Sequence, residues 1–180
     1  TDPLEADTDS DGLQDGDEVS IGTDPNKTDT DEDLLNDSFE HEQLETDPTE
    51  ADTDGEGLND SQELDYATDP VENDTDSDSL NDYEEVFNYS SDPLEADTDS
   101  DSLDDGEEIS RGLEPDNPDT DSDGLNDSEE LDYGTDPLEA DTDSDGLNDG
   151  TEIQEGTDPL QEDTDSDMLD DYEEVVEYST

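Results

Sequence analysis

The sequence is a tandem repeat of one acidic segment. A segment that opens on Asp-Thr-Asp recurs eight times, at steps of 22, 23, 22, 23, 22, 22 and 22 residues. The first residues of the eight copies are Asp7, Asp29, Asp52, Asp74, Asp97, Asp119, Asp141 and Asp163. A fixed period of 20 to 50 residues is typical of repeat arrays, in which each unit stacks on its neighbours. We therefore interpret residues 1–180 as one continuous array of eight repeats of about 22 residues, and as a segment of a longer chain.

The composition argues against an ordinary hydrophobic core. Only 27 of the 180 residues are Leu, Ile, Val or Phe, and the formal net charge is -67. By itself this composition is typical of intrinsically disordered chains. A disordered acidic tail, however, has no need to keep Asp and Glu at fixed offsets through eight copies. The pattern indicates a partner that supplies both order and positive charge.

The spacing of the acidic residues identifies that partner. When each segment is numbered from its first Asp, positions 1, 3 and 9 are always Asp, position 7 is always Leu and position 12 is always Glu. Position 5 is Asp in seven copies and Glu56 in the third. An EF-hand-type loop binds calcium through side chains at 1, 3 and 5, the carbonyl at 7, a contact at 9 that often runs through water, and a bidentate Glu at 12. The spacing predicts at least one calcium ion in each repeat.

The candidate calcium ligands occupy six positions in every copy, and position 1 contributes the eight Asp residues given above. Position 3 contributes Asp9, Asp31, Asp54, Asp76, Asp99, Asp121, Asp143 and Asp165, and position 5 contributes Asp11, Asp33, Glu56, Asp78, Asp101, Asp123, Asp145 and Asp167. Position 7 contributes the carbonyls of Leu13, Leu35, Leu58, Leu80, Leu103, Leu125, Leu147 and Leu169. Position 9 contributes Asp15, Asp37, Asp60, Asp82, Asp105, Asp127, Asp149 and Asp171. Position 12 contributes Glu18, Glu40, Glu63, Glu85, Glu108, Glu130, Glu152 and Glu174.

Position 6 lies at the sharp turn of such a loop, where glycine is favoured because it tolerates a positive φ. Four copies meet this need, with Gly12, Gly57, Gly124 and Gly146. The other four have Leu34, Ser79, Ser102 and Met168. At about 1 kcal/mol of strain each, these four loops are expected to bind more weakly or to curl differently.

Two alternatives compete with calcium. Magnesium requires near-ideal octahedral geometry and keeps its waters, so a flexible carboxylate-rich loop favours calcium. A simple solvated acidic face would tolerate Glu for Asp and a drifting spacing, which the loop positions do not show. The acidic residues outside the loops remain compatible with that reading.

The residues between loops predict a thin scaffold. Position 13 is aliphatic in seven copies and His41 in the other, and glycine at position 16 would end a short helix at Gly22, Gly112, Gly134 and Gly156. An Asp-Pro pair then precedes the next loop in seven copies and can begin a further single turn. We expect a calcium-stabilised solenoid or rod, made mostly of loops with helices of one or two turns, little other regular secondary structure and no hydrophobic core.

The loop followed by Gly-Thr-Asp-Pro, as in 7–25 and 141–159, resembles the thrombospondin type 3 repeat in its cysteine-free prokaryotic form, and the resemblance covers the whole chain. It implies a chain wrapped around a row of calcium ions, often more than one per repeat and shared between neighbours, in secreted or surface-attached proteins. Candidate extra ligands for a second ion are the position 9 residues and the Asp before each Pro, namely Asp2, Asp24, Asp47, Asp69, Asp92, Asp136 and Asp158. Dockerin modules are the nearest competing family, but they stop at two copies and carry longer apolar helices.

Several classes of partner and activity are disfavoured. With only two Lys or Arg residues the surface would repel nucleic acids and anionic lipids, and the short apolar runs provide no membrane insertion within this segment. There is no Cys, and the single His has no placed Ser partner, so we expect no enzymatic activity. Self-association into filaments or bundles is compatible with the array. N-glycans are compatible with the Asn-x-Ser/Thr sequons at Asn26, Asn36, Asn59, Asn73, Asn88 and Asn126.

The sequence thus favours an extracellular calcium-binding structural protein that forms a stiff rod, stalk or filament at a prokaryotic cell surface. Two alternatives remain, a calcium buffer or sensor and an acidic matrix protein that templates mineral. A sensor exposes an apolar groove on binding calcium, for which this chain has too few apolar residues. A mineral template would tolerate scrambled acidic spacing.

Overall fold

The computed structural model describes residues 1 and 4–177, and within them the regular secondary structure is entirely helical. Seven α-helices each begin at the Asp of position 9: α1 (Asp15–Ile21), α2 (Asp37–Phe39), α3 (Asp60–Tyr66), α4 (Asp82–Glu84), α5 (Asp105–Arg111), α6 (Asp127–Tyr133) and α7 (Asp149–Glu155). Three π-helices complete the set: π1 (Glu40–Leu44), π2 (Glu85–Tyr89) and π3 (Glu173–Glu177). The prediction of short helices separated by loops is confirmed.

Helix length is set by capping residues at both ends. Position 8 is the N-cap, and the side chains of Asn36, Asn59 and Asn126 accept a hydrogen bond from the amide three residues later. Three of the sequons therefore use their Asn as a helix cap. At the other end the predicted glycines adopt a left-handed conformation, such as Gly22 with φ 103° after α1 and Gly112 with φ 86° after α5.

The π-helices account for the uneven repeat length. The two 23-residue steps follow the second and fourth copies, in which α2 and α4 run directly into π1 and π2. A π-helix closes its backbone hydrogen bonds one residue further along the chain than an α-helix does, so the additional residue is accommodated within the helix. The same geometry occurs in π3 of the eighth copy.

The chain forms two compact units, residues 1–88 with 92–95 and residues 89–91 with 96–180. In the first unit the buried aliphatic side chains are Leu13, Leu58 and Leu80, and in the second they are Leu103, Leu113, Leu125 and Leu147. All but Leu113 are position 7 residues. Among the described residues the buried polar or charged side chains outnumber these leucines by more than three to one, and they are chiefly the Asp of position 9 and the Glu of position 12. Neither unit has an ordinary hydrophobic core among these residues.

Aromatic side chains fill gaps between consecutive repeats of the first unit. The ring of Tyr83 packs over Gly57, where an added Cβ would lie 3.1 Å from the ring. Phe87 packs against Tyr83 with ring centroids 5.0 Å apart, and against Tyr66 edge-on at 6.3 Å. These contacts support packing of one repeat on the next.

The turn at position 6 keeps a positive φ whether or not it is glycine. Leu34, Ser79, Ser102 and Met168 have φ of 90°, 88°, 87° and 88°. Their amides also donate to the position 1 carboxylate, as Gly124 does to Asp119 at 3.1 Å and Leu34 to Asp29 at 3.1 Å. All four loops therefore retain the glycine-type curl, and the cost of these substitutions is backbone strain.

We predict that this strain is measurable in a pair of opposite substitutions. Leu34 is 86% exposed, so Leu34→Gly loses almost no packing and should raise the free energy of unfolding in calcium by about 1 kcal/mol. Gly124 has open space around its Cβ position, so Gly124→Leu should lower it by a similar amount through backbone strain alone. Urea unfolding of both variants checks this, and equal stability of the two would contradict it.

Candidate metal centre

Each loop is curled by hydrogen bonds from its own amides to its own carboxylates. In the seventh loop Asp141 accepts the amides of Ser144 at 2.7 Å and of Gly146 at 3.0 Å. Asp143 accepts the amide of Asp145 at 3.1 Å, and Asp145 accepts that of Leu147 at 2.7 Å. The amides hold the carboxylates of positions 1, 3 and 5 close together. Oxygens of Asp7, Asp9 and Asp11, of Asp29, Asp31 and Asp33, and of Asp74, Asp76 and Asp78 lie within 4.8 Å of one another in each group.

The glutamate at position 12 is fully buried in the first seven repeats. In Glu18, Glu40, Glu63 and Glu108 the exposed fraction is 0%, and neither carboxylate oxygen has a hydrogen-bond partner. In the third repeat one oxygen each of Asp54, Glu56 and Glu63 lies within 4.8 Å of the others. A buried carboxylate without a partner is unfavourable by several kcal/mol, so these oxygens mark a place that a cation would fill.

Burial and crowding shift the titration of these groups. Burial, followed by the charges of neighbouring carboxylates, raises the pKa of Glu40, Glu63 and Glu108 to about 8. The same causes raise the pKa of Glu18 to about 7. At position 3, burial raises the pKa of Asp31 to about 6. Every one of these shifts opposes ionisation, the form in which a carboxylate binds a metal.

The protein's own cations do not neutralise the clusters. Lys27 pairs with the exposed Glu32 at 2.7 Å, and Arg111 pairs with the exposed Glu107 at 2.5 Å. Both pairs lie on the surface of the described residues. Neither pair supplies positive charge to the buried glutamates.

The Asp at position 9 has a different environment from that of a free ligand. In all eight repeats its two oxygens accept the amide and the hydroxyl of the Thr at position 2; for Asp60 the donor is Thr53, at 2.8 Å for both bonds. The position 9 carboxylate also acts on the position 12 glutamate of the preceding repeat. The charge of Asp60 helps to raise the pKa of Glu40, and that of Asp82 helps to raise the pKa of Glu63. This charge is therefore shared across the boundary between repeats.

Position 2 is the functional residue that the calcium motif alone does not reveal. It is Thr in every copy: Thr8, Thr30, Thr53, Thr75, Thr98, Thr120, Thr142 and Thr164. In six of them the hydroxyl also accepts the amide of the acidic residue before the preceding Pro, as Thr53 does from Asp47 at 3.0 Å. The Thr, itself in the loop, is thus hydrogen-bonded both to the Asp-Pro segment before the loop and to the first residue of the helix after it. Its invariance in eight copies was the available signal.

The Asp residues before Pro have a structural task of their own. Asp24, Asp47, Asp69, Asp136 and Asp158 are outside the buried clusters and accept the amide two residues later, as Asp47 does from Thr49 at 3.0 Å. Glu114 closes the same turn with its carbonyl to the amide of Asn117 at 2.9 Å, although Asp-Pro is missing there. Asp2 lies outside the described residues. This geometry favours the turn-capping reading over a second-ion ligand.

The eighth loop is more open than the others. Asp165 and Asp167 are exposed, Asp163 and Glu174 are half-buried, and Asp171 is buried. Leu35 and Leu169 are also less buried than the position 7 residues of the other repeats. In this loop Asp163 nevertheless accepts hydrogen bonds from the amides of Ser166 and Met168.

A family model confirms the resemblance. The model described as "Bacterial TSP3 repeat" matches residues 7–28, 52–71, 119–140 and 141–162. These four of the eight copies are bacterial TSP3 repeats. TSP3 repeats are calcium-binding repeats of a structural rather than an enzymatic family, and they are typically extracellular. The absence of cysteine matches the cysteine-free type.

The other comparisons add nothing to this assignment. No curated protein and no solved structure matched the chain. Across residues 1 and 4–177, none of the helices has the length and apolar character needed to cross a membrane.

We predict that Thr53 is essential to the TSP3 repeat scaffold. Thr53→Val removes the hydroxyl bond to the buried Asp60 and should lower the free energy of unfolding by about 1–3 kcal/mol. Thr53→Ser keeps that bond and is the matched control. Urea unfolding with calcium present measures both, and a valine variant as stable as the serine variant would contradict the assigned role.

We also predict an inverse pH dependence for the calcium-free chain. The pKa of Glu40 rises from 4.5 to about 8 in the folded arrangement, so the proton is held more tightly there than in the unfolded chain. Stability from this group is complete below about pH 4.5 and is lost as the pH rises through about 8. Small-angle scattering in a chelator should show a more compact chain at pH 5 than at pH 8.5. Equal radii of gyration would rule this out.

Proposed function

We propose that this chain is an extracellular structural protein in which calcium stiffens a row of TSP3 repeats into a rod, stalk or filament segment at a prokaryotic cell surface. The observation that carries the proposal is the set of fully buried position 12 glutamates with unpartnered oxygens. They are the ligands that a calcium loop needs at that position, and no protein cation among the described residues answers them.

In each repeat we assign the ligands to the carboxylates of positions 1, 3 and 5, the carbonyl of position 7, position 9 directly or through water, and the glutamate of position 12. Calcium supplies positive charge where the buried carboxylates converge. The amides of the loop orient the carboxylates, and at position 3 the accepted hydrogen bond fixes one oxygen and leaves the second available. At position 3 that second oxygen is buried without a partner in Asp9, Asp31, Asp54, Asp99, Asp121 and Asp143.

Stiffening is supported by the way position 5 connects one repeat to the next. Its second oxygen accepts the amide of position 10 in the following repeat, from Ser38 to Asp11 at 3.1 Å in the first unit and from Tyr172 to Asp145 at 2.9 Å in the second. Six helices thus have their first turn held by a carboxylate of the preceding loop of the same unit. An ion that fixes position 5 therefore also restrains the next repeat within the same unit.

The position 9 carboxylate of the next repeat is our candidate for a shared ligand. Its charge acts on the preceding glutamate, as that of Asp127 does on Glu108 in the second unit. One or two ions per repeat are compatible with these donors, and sharing would couple binding at consecutive loops. Self-association of loaded chains would then extend the rod laterally or end to end.

The proposal is tested by calcium titration of the whole chain. Equilibrium dialysis should give at least eight bound ions per chain, and small-angle scattering should show the swollen calcium-free coil becoming compact and stiff, with no such change in magnesium or sodium chloride. Compaction by sodium chloride alone would refute the proposal in favour of a solvated acidic face. Unsaturable binding without a change of shape would refute it in favour of an acidic mineral matrix.

A matched pair of variants locates the site. Glu63→Gln should abolish tight binding of at least one ion, because it removes the charge of a buried ligand. Glu72→Gln removes an exposed charge of the same repeat and should leave the stoichiometry unchanged. Equal stoichiometry for the two variants would show that Glu63 holds no ion.

A further inference from the structure

The residue after the C-cap of a helix lies close to the position 12 glutamate of the same helix. In the second unit the amide of Thr135 donates to the carbonyl of Glu130 at 3.1 Å, and that of Thr157 to the carbonyl of Glu152 at 3.0 Å. These bonds close the helix C-terminus and place the threonine hydroxyl beside the carboxylate. The hydroxyl of Thr135 lies 3.3 Å from Oε1 of Glu130, and that of Thr157 lies 3.3 Å from Oε1 of Glu152.

The two oxygens of each glutamate consequently differ. Glu130 and Glu152 are fully buried, and Oε1 of each lies within hydrogen-bond distance of a threonine hydroxyl, which in Thr135 also lies 3.3 Å from the carbonyl oxygen of Glu130. The other oxygen, Oε2, is buried without a hydrogen-bond partner. A hydroxyl that engages one oxygen limits rotation of the carboxylate and leaves the second oxygen in a fixed position.

We propose that this hydroxyl is a positioning group of the calcium site, which orients the position 12 glutamate through Oε1 so that Oε2 is held for the ion. The proposal rests on the calcium-binding function proposed above. The corresponding sequence position is held by Thr23, Thr46 and Thr68 in the first unit. Partners of a ligand that lie outside the coordination sphere typically contribute 10- to 100-fold to metal affinity.

The fifth repeat is a natural contrast. It has Leu113 at this place, with its amide 3.0 Å from the carbonyl of Glu108 and its side chain 4% exposed. No hydroxyl is available from that residue, and both oxygens of Glu108 are buried without a partner. The backbone arrangement is therefore kept while the orienting donor is lost, and the fifth site should be weaker than the sixth and seventh.

The first unit has the same donor and acceptor available. The hydroxyls of Thr23 and Thr46 are buried and have no hydrogen-bond partner within the described part of the chain. The carboxylates of Glu18 and Glu40 are buried without partners as well. Each of these buried hydroxyls therefore remains available to the carboxylate of its glutamate. We expect the hydroxyl to donate to that carboxylate when the carboxylate binds its ion.

The seventh repeat offers a local reporter for the test. Tyr172 donates its amide to Asp145 at 2.9 Å, and its ring packs over Gly146, where an added Cβ would lie 3.4 Å away. Terbium, a luminescent calcium substitute, is excited through a nearby tyrosine. The part of the emission that disappears in Tyr172→Phe therefore reports the seventh loop and also the eighth loop, in which Tyr172 itself lies, within the full 180-residue chain. Calcium competition gives the affinity of each, and only the seventh-loop component should respond to a change at residue 157.

In this assay Thr157→Val should weaken calcium binding at the seventh loop about 10-fold, whereas Thr157→Ser, which keeps the hydroxyl, should bind as wild type. Helix content by circular dichroism at saturating calcium should be the same in all three proteins. Wild-type affinity in Thr157→Val would overturn the positioning role. Equal losses in the valine and serine variants would also overturn it, since they would assign the effect to packing.

A gain-of-function variant covers the case in which Thr157→Val does not fold. Leu113→Thr should shift the calcium midpoint of the amide resonance of residue 113 about 10-fold lower, and an unchanged midpoint would refute the proposal. A wild-type chain without saturable, Tyr172-dependent terbium emission would instead refute the calcium-binding function itself, and the positioning role with it.

Discussion

Repulsion between converging carboxylates is the constraint on which the rest of this structure depends. Two charges 4 Å apart repel by about 1 kcal/mol in water and by about 4 kcal/mol at the lower effective dielectric near a protein. Each repeat gathers three loop carboxylates, a buried glutamate and a position 9 aspartate, with only two Lys or Arg residues in the whole chain. Loop amides and the position 2 threonines offset part of this repulsion. The remainder is what a bound cation would offset under the proposed function.

The sequence predicted the local features of each repeat well, because the information for them lies within a few residues. The helix stops at Gly22 and Gly134 follow from the freedom of glycine to take a positive φ, and the short helices follow from caps at both ends. The third helix ends at Ala67 in the same left-handed conformation, which no glycine announces. There the tertiary structure overrides local preference. The π-helices had a signal in the 23-residue steps, but its meaning requires knowing that the extra residue enters the helix.

The candidate site was predicted only in its outline. Ligand spacing identifies positions 1, 3, 5 and 12, and the structure places their carboxylates together. The spacing alone cannot reveal that the position 9 carboxylate of Asp60 accepts two hydrogen bonds from Thr53 of its own loop. Nor can it reveal that the charge of Asp60 acts on Glu40 of the preceding repeat. That pairing depends on how one repeat stacks on another, which is a property of tertiary geometry. Spacing also treats the Asp before Pro as a free carboxylate, whereas Asp47 caps its own turn.

Position 5 shows why the calcium site and the stacking of repeats cannot be separated in this chain. Glu56 is the one departure from Asp there, and its longer side chain still accepts the amide of Leu58 at 2.5 Å and that of Tyr83 in the next repeat at 2.8 Å. Both hydrogen bonds are kept despite the change of side-chain length, because each one uses a different oxygen of the carboxylate. One oxygen shapes the loop that would hold the ion, and the other holds the next helix. In ordinary repeat proteins an apolar interface transmits order between units. Here a carboxylate connects consecutive repeats of one unit, and an ion bound in the loop would restrain that carboxylate and the next helix together.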